Sequence, residues 1–134
     1  MDIRSTSTVA PVSMHDNVKV WGLFPKFSLF EQTRGTYLEA IEEWTIAPHT
    51  KATPHSHDTH EFYYILVGEA VVQIEQEARR VKPGDLIYIP PKVPHSIWPT
   101  TDDGVRAFSF SVSYQEPVEP GYKDEVLEEV RVID

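Results

Sequence analysis

The sequence contains no cysteine, which excludes disulfide bonds, thiolate metal ligands and cysteine nucleophiles. It also lacks an apolar run of about 18 residues, the length that a membrane-spanning helix requires. Its first residues, MDIRSTSTVA, contain no apolar segment of the kind that directs secretion. From these absences we expect a soluble protein of the cytoplasm that has no membrane partner.

Basic side chains are scarce. The chain has 12 Lys and Arg against 21 Asp and Glu, and its formal net charge is −9 at pH 7. Proteins that bind nucleic acid need a basic patch or stripe. We therefore expect no nucleic-acid partner and look for the function in a small-molecule site.

The chain of 134 residues is long enough for one domain with its own core. Its 11 prolines and weak helical periodicity favour many short strands, and so an all-β fold. Residues 1–17 are rich in Ser and Thr, and we interpret them as an N-terminal arm, mobile or at a sheet edge, with a solvated His15. Residues 18–134 are interpreted as the single folded domain.

Two later segments alternate as strands do. In Tyr37–Ile46 the alternation places Trp44 on an apolar face that Glu42 interrupts. In Val105–Tyr114 aromatic and aliphatic side chains alternate with small ones, mostly serines, and we expect the serine face to meet solvent or a dimer mate. Leu86–Ile89 is predicted to be a compact buried strand.

Ligand-type side chains are densest in the stretch PHSHDTHEFYYILVG, which carries His55, His57, His60 and Glu61. Residues two apart in a strand share a face, so His55, His57 and Glu61 share one face and His60 lies on the other. Two imidazoles and a carboxylate on one face form part of a coordination shell for a divalent metal. A local bulge would instead turn His60 inward, where it would replace or supplement Glu61.

The spacing of these residues resembles the first motif of the cupin family, G-x5-H-x-H-x3or4-E-x6-G. His55, His57, Glu61 and Gly68 match this motif in register. His49 stands where the motif opens with glycine, and we expect it to be a loop residue and not a ligand.

A second stretch resembles the second motif of that family, G-x5-P-x-G-x2-H-x3-N. Gly84, Pro90 and His95 match in register, whereas Lys92 replaces the second glycine and Pro99 replaces the asparagine. Both motifs occur in the family's order, and their departures fall at turn positions and not at ligands.

The resemblance implies a double-stranded β-helix, or jelly-roll barrel, as the fold of residues 18–134. It also implies one divalent transition metal held by His55, His57, Glu61 and His95. Three imidazoles and a carboxylate suit Zn, Fe, Mn, Ni or Co, and they leave up to two positions open for substrate. A homodimer is expected on the same resemblance.

Aromatic side chains surround the predicted site in the sequence, and they suggest a largely apolar pocket. Glu42 interrupts an apolar face, which makes it a candidate acid or base or a partner of a ligand, with a barrel-rim position as the alternative. The candidate pocket residues are Tyr37, Glu42, Trp44, Tyr63, Trp98, Phe108 and Phe110.

Three functions remain open at this point. The first is a metal-dependent enzyme that activates a carbonyl or enol of a small, largely apolar substrate, as an isomerase, a lyase or a polyketide-cyclase-like enzyme. In that hypothesis Glu61, or a metal-bound hydroxide, moves the proton as the catalytic group. The second is a non-haem iron dioxygenase with the same ligands. The third is a non-catalytic, metal-dependent module that binds a small molecule.

Overall fold

The computed structural model of the protein describes residues 1–33, 38–113 and 122–134. The described residues form strands and no helix. No helix in that part of the chain is therefore long and apolar enough to cross a membrane. The strands are β1 (Val12–Met14), β2 (Val18–Phe24), β3 (Leu38–Ile46), β4 (His55–Ser56), β5 (His60–Val67), β6 (Ala70–Ile74), β7 (Glu77–Val81), β8 (Leu86–Ile89), β9 (His95–Pro99), β10 (Val105–Val112), β11 (Lys123–Asp124) and β12 (Val132–Ile133).

The strands build two sheets of six, in the orders β1-β2-β3-β10-β5-β8 and β11-β4-β9-β6-β7-β12. Neighbouring strands are antiparallel, except β7 and β12, which run parallel. The predicted all-β jelly-roll barrel is confirmed. β1 lies inside the predicted N-terminal arm, where it pairs with β2 at the edge of the first sheet. The boundary between arm and domain stays a prediction.

The inner face of the first sheet changes from apolar to polar along its strands. Cross-strand pairing arranges the side chains in rows, because directly opposed residues point to the same side. We call the first two rows the apolar end and the last two the polar end. In order, the rows are Val18, Ile46 and Val105; then Val20, Trp44, Ala107 and Ile65; then Gly22, Glu42, Ser109 and Tyr63; and finally Ala40, Ser111 and Glu61.

The serine face of β10 points into the barrel, so the prediction that it meets solvent or a dimer mate is wrong. Ser109 and Ser113 are each 2% exposed. Phe110 lies on the outer face, where its ring stacks on Phe62 at 4.7 Å between centroids. Alternation identified two faces but not which one is inside, because aromatic neighbours shield the outer face and small serines fit the polar interior.

Strand β8 lies at the edge of its sheet, and the expectation of a buried strand is wrong for most of it. Leu86 is 59% exposed and Tyr88 is 46% exposed, whereas Ile89 is completely buried. An edge strand has one neighbour instead of two, so its outer side chains keep contact with water.

Turn positions explain the two departures from the glycines of the motifs. His49 and Lys92 have φ values of 63° and 64°, the left-handed region that glycine favours. Gly68, which the motif keeps, has a φ of 78°, and a Cβ atom there would lie 1.8 Å from the carbonyl oxygen of Gly104. The fold therefore tolerates a side chain at positions 49 and 92 but has no room for one at position 68.

Candidate metal centre

Three imidazoles from two neighbouring strands and one loop converge inside the barrel. His55 opens β4 and His95 opens β9, and these two residues oppose each other directly in the antiparallel pair. His57 lies in the short loop that follows β4. One ring nitrogen from each of the three lies within 4.8 Å of the others, so the group could hold a metal ion.

Each imidazole is oriented through its Nδ1 atom. His55 Nδ1 lies 2.7 Å from the carbonyl oxygen of Thr53, and His95 Nδ1 lies 2.8 Å from that of Val93. A carbonyl only accepts, so both Nδ1 atoms donate and both Nε2 atoms carry a lone pair. His57 Nδ1 lies 2.7 Å from the hydroxyl of Thr59. Metal-binding histidines are fixed in this way in proteins, which leaves Nε2 as the ligand atom.

The carboxylate of Glu61 completes a polar cluster with these rings. Its Oε2 lies 2.7 Å from His57 Nε2 and 3.4 Å from His95 Nε2, and it accepts a hydrogen bond of 3.3 Å from the Tyr63 hydroxyl. Burial raises the pKa of Glu61, but His57 and His95 outweigh burial and hold it well below the ordinary value. Glu61 is therefore a carboxylate at neutral pH and suits a cation.

The pKa values of His55 and His57 shift in opposite directions. Burial, with His95 and His15 as neighbours, lowers the pKa of His55 to about 3. Burial also lowers the pKa of His57, but Glu61 outweighs it and the net shift is upward. His95 Nε2 is buried and has no hydrogen-bond partner among the described residues. A metal ion would satisfy this nitrogen, so the residues present fit the group that the cupin resemblance implies.

His60 takes no part in this cluster. It opens β5 and its Nδ1 lies 2.6 Å from the hydroxyl of Tyr88 on the neighbouring strand, with the two rings stacked. That placement agrees with a regular strand in which His60 lies on the face opposite Glu61.

His15 was missed as part of the site, and the expectation that it is solvated is wrong. Its ring stacks on His55 at 3.6 Å between centroids, and its Nδ1 lies 3.1 Å from the hydroxyl of Tyr122. Its carbonyl oxygen accepts a hydrogen bond from Thr53 N at 3.0 Å. Burial lowers the pKa of His15 to about 4. No local pattern signals this contact, because it depends on how the turn after β1 meets a loop 38 residues later.

A cavity of about 80 Å³ lies against His55, His57, His95 and Glu61. Of the seven predicted pocket residues, Glu42, Trp44 and Tyr63 line it. Phe108 and Phe110 lie on the outer face of β10, and Trp98 carries Lys51 Nζ at 4.0 Å over its ring. These three residues are not among those that line the cavity, and Tyr37 lies outside the described residues.

Glu42 lies in the polar end, in the row next to Glu61. Burial, followed by the charges of Glu61 and Glu39, raises its pKa to about 7. Such a carboxyl group can both take up and release a proton near neutral pH. A bound cation would offset part of this shift, because its charge opposes that of the carboxylates.

Glu39 is a second carboxyl group of the cavity that the sequence did not reveal. It is 6% exposed, and its Oε1 lies 3.8 Å from Lys26 Nζ. Burial raises its pKa, although the positive charge of Lys26 lowers it. Strict alternation would place Glu39 on the outer face with Glu43, and only an irregularity of the strand brings it inside.

Fold and donor set define a β-barrel of the jelly-roll class with a possible three-histidine metal site at one end of its interior. The sequence model of the cupin domain matches residues 42–111, which is more than half of the 134 residues. The chain belongs to the cupin family.

Relatives of known sequence or structure agree with this assignment. An uncharacterized protein of Methanocaldococcus jannaschii is 42% identical over 60 residues, which cover 44% of this chain and 48% of that protein. The match thus spans about half the length of this curated relative.

Two solved structures share the fold at low identity. A predicted oxalate decarboxylase of Thermotoga maritima has 21% identity and a TM-score of 0.70 over 83% of this chain and 98% of that one. KdgF from Halomonas sp. has 18% identity and a TM-score of 0.64 over 82% of this chain and 94% of that one. At these identities the likeness shows the fold alone.

Proposed function

We propose that this protein is a metal-dependent enzyme that moves a proton on a small organic substrate inside the barrel. The observation that carries the proposal is the group of three imidazoles, each of which is fixed through Nδ1. One of them, His95, has a buried Nε2 without a hydrogen-bond partner among the described residues. His55, His57 and His95 would hold a divalent transition metal through Nε2, with Glu61 as the fourth ligand. When bound, such an ion polarises a carbonyl or enol oxygen as a Lewis acid.

The proton is assigned to Glu42 and not to Glu61. Glu61 contacts His57 and His95, and its pKa is held low, so it serves better as a ligand than as a proton carrier. Glu42 lines the same cavity, and burial raises its pKa to about 7 in the absence of a cation, so it takes up a proton near neutral pH more readily than Glu61 does.

The step balances within the substrate and this one side chain. As a carboxylate, Glu42 takes a proton from a carbon next to the substrate carbonyl, and the electron pair of the C–H bond passes into the carbonyl group. As a carboxylic acid, Glu42 then returns the proton to another carbon or to a leaving group, which gives an isomerase or a lyase. Trp44 would pack against the apolar part of the substrate, because its ring lines the cavity in the apolar end.

Deuterium exchange tests the proposal without knowledge of the natural substrate. Protein purified without chelator is analysed for metal, loaded with zinc, and incubated in heavy water with a panel of small ketones and keto acids. We expect NMR to show exchange of protons next to a carbonyl, with a rate at least about 100-fold lower in Glu42→Gln, the range of general acid–base catalysis. Glu43→Gln on the outer face is the matched control and should keep the wild-type rate.

Other outcomes would favour the alternative functions. Oxygen uptake by iron-loaded protein, without proton exchange, would indicate a dioxygenase. Binding of panel compounds with neither reaction would indicate a non-catalytic module. Full metal content in a folded His57→Ala protein would contradict the proposed ligand set, and with it the proposed metal-dependent activity.

The homodimer and the cytoplasmic location remain proposals. Support for a dimer comes from the outer face near β5 and β8, where large apolar side chains are exposed, among them Tyr64 at 42% and Leu86 at 59%. Light scattering after gel filtration would measure the mass, and a mass of 15.3 kDa would contradict a dimer.

A further inference from the structure

Glu39 presents a buried carboxylate oxygen that the described residues leave unsatisfied. The side chain is 6% exposed, and its Oε2 has no hydrogen-bond partner among them. Its Oε1 lies 3.8 Å from Lys26 Nζ, a lysine whose side chain is 40% exposed. Because a buried acceptor without a donor costs stability, such a group needs an explanation.

A β-bulge places this oxygen in the cavity. On strand β10, Ser111 opposes Ala40 and the next residue, Val112, opposes Leu38, so Glu39 is an extra residue without a partner on that strand. A bulge of this kind changes the direction of a side chain, and bulges are common next to functional sites. Here it turns into the cavity a carboxyl group that regular alternation would send outward.

The described neighbours of Glu39 in the cavity leave its Oε2 without a donor. Glu42 lines the same cavity three residues along the strand, and Lys26 and Ser111 line it as well. Burial raises the pKa of Glu39, whereas the charge of Lys26 and the hydrogen bond of Ser111 lower it. Both carboxyl groups lie at the polar end. Glu42 is in the row next to that of Glu61, and Glu39 directly precedes Ala40, which lies in the same row as Glu61. A ligand that brings an O–H or N–H group to this end would satisfy Glu39 Oε2, whereas a purely apolar ligand would leave it unpaired.

We propose that Glu39 is a substrate-binding residue whose Oε2 accepts a hydrogen bond from a hydroxyl or ammonium group of the substrate. The substrate is then amphipathic, with its apolar part toward Trp44 and a hydrogen-bond donor toward Glu39. This replaces the expectation of a largely apolar substrate. The inference rests on the proposed function for the existence of a substrate, and a structural ion pair with Lys26 is the competing explanation for Glu39.

Thermal melting of the metal-free protein separates the two explanations. If Glu39 is kept for binding, Glu39→Leu removes an unsatisfied group and Glu39→Gln removes a buried charge, and the melting temperature stays level or rises by a few degrees. If Glu39 stabilises the bulge through Lys26, the melting temperature of both variants falls. A fall of more than about 5 °C in both variants would overturn the proposal.

Glu43→Leu is the control for this measurement. Glu43 lies on the outer face of the same strand, and its Oε1 accepts a hydrogen bond of 2.8 Å from Arg106 Nε. A lower melting temperature in this variant shows that the assay detects the loss of a structural ion pair.

Binding of three matched probes tests the substrate class. Zinc-loaded wild-type and Glu39→Leu proteins are titrated by NMR with 3-hydroxypropionate, 3-aminopropionate and butyrate, which share a carboxylate and differ in the terminal group. We expect the hydroxyl or the ammonium probe to bind wild type about ten-fold more tightly than butyrate, because one hydrogen bond to a charged group gives this preference. Whichever of the two binds more tightly identifies the donor.

The variant decides whether Glu39 is responsible. In Glu39→Leu the preference should disappear while butyrate binds as before. The proposal is overturned if the three probes do not differ in wild type, including the case in which none binds, or if the preference persists in the variant. A protein that takes up no zinc would refute the proposed function, whereas the melting test of Glu39 would still stand.

Discussion

The two ends of the barrel interior are built from the same strands but have opposite chemistry. In the apolar end Ile46 and Ile65 are each 1% exposed and pack in one hydrophobic cluster with Trp44. In the polar end the same strands present Glu42, Glu61 and serines. Burial raises the pKa of Glu42, whereas His57 and His95 outweigh burial and hold the pKa of Glu61 low. Apolar packing and the polar side chains of the candidate site are therefore separated along each strand and not between strands.

Truncation of one side chain at each end should give the largest difference in stability between the two ends. Trp44→Ala removes a large, 4% exposed side chain and should lower the free energy of unfolding by about 3–5 kcal/mol. Glu42→Leu should leave it level or raise it, because a desolvated carboxyl group is replaced by an apolar one. Urea denaturation measures both. Equal losses in the free energy of unfolding from Trp44→Ala and Glu42→Leu would show that the two ends do not differ in their contribution to stability.

The pH dependence of stability should reveal the buried carboxyl group of the polar end. The folded protein holds the pKa of Glu42 at about 7, above its ordinary value of 4.5, so the folded state binds its proton more tightly than the unfolded state does. Stability from this group is therefore full below pH 4.5 and is lost as the pH rises through about 7, by at most about 3 kcal/mol. Urea denaturation of wild type and Glu42→Gln between pH 4.5 and 7.5 should show the two free energies diverging by this amount. Parallel curves would contradict the shifted pKa.

A smaller change tests how the polar end is held. Thr59→Val keeps the shape of a side chain that is 1% exposed but removes the hydroxyl 2.7 Å from His57 Nδ1. Loss of such a partner weakens metal affinity by about 10–100-fold. Competition with a zinc chelator measures the affinity, and Thr45→Val on the outer side of β3 is the control. Unchanged affinity would mean that His57 is oriented by something else or is not a ligand.

The smallest expected effect lies at the turn next to the site. Lys92 has a φ of 64°, so Lys92→Gly relieves an unfavourable backbone conformation and should stabilise the protein by about 1 kcal/mol. Thermal melting would show a rise of a few degrees. His49→Gly, with a φ of 63°, should behave alike, whereas Gly68→Ala should be strongly destabilising. A loss of stability in both glycine variants would contradict this interpretation of the turns.

Much of the site was accessible from the sequence because its spacing is local. His55, His57 and Glu61 lie within seven residues, and the cupin motifs grouped them with His95. The prediction that the first three share one face of a strand is wrong, because a loop at residues 57–59 separates β4 from β5 and these strands belong to different sheets. The fold followed from the same resemblance.

The parts that were missed depend on contacts between distant segments. The bulge at Glu39 appears only in the register of β3 against β10, and the contact of His15 with Tyr122 joins residues 107 apart. The direction of the serine face likewise depends on the neighbouring strands. Composition and periodicity describe one segment at a time, and they do not contain this information.

His55 is enclosed by both ends of the described chain. His15 stacks on one side of its ring, and Asp124 on β11 pairs with its backbone. During synthesis a chain emerges from the ribosome in order, at roughly 5–20 residues per second. The surroundings of this imidazole are therefore completed only after residue 124 has emerged, well after the other strands can pair. A nascent chain would therefore lack part of the enclosure of His55 until β11 has emerged.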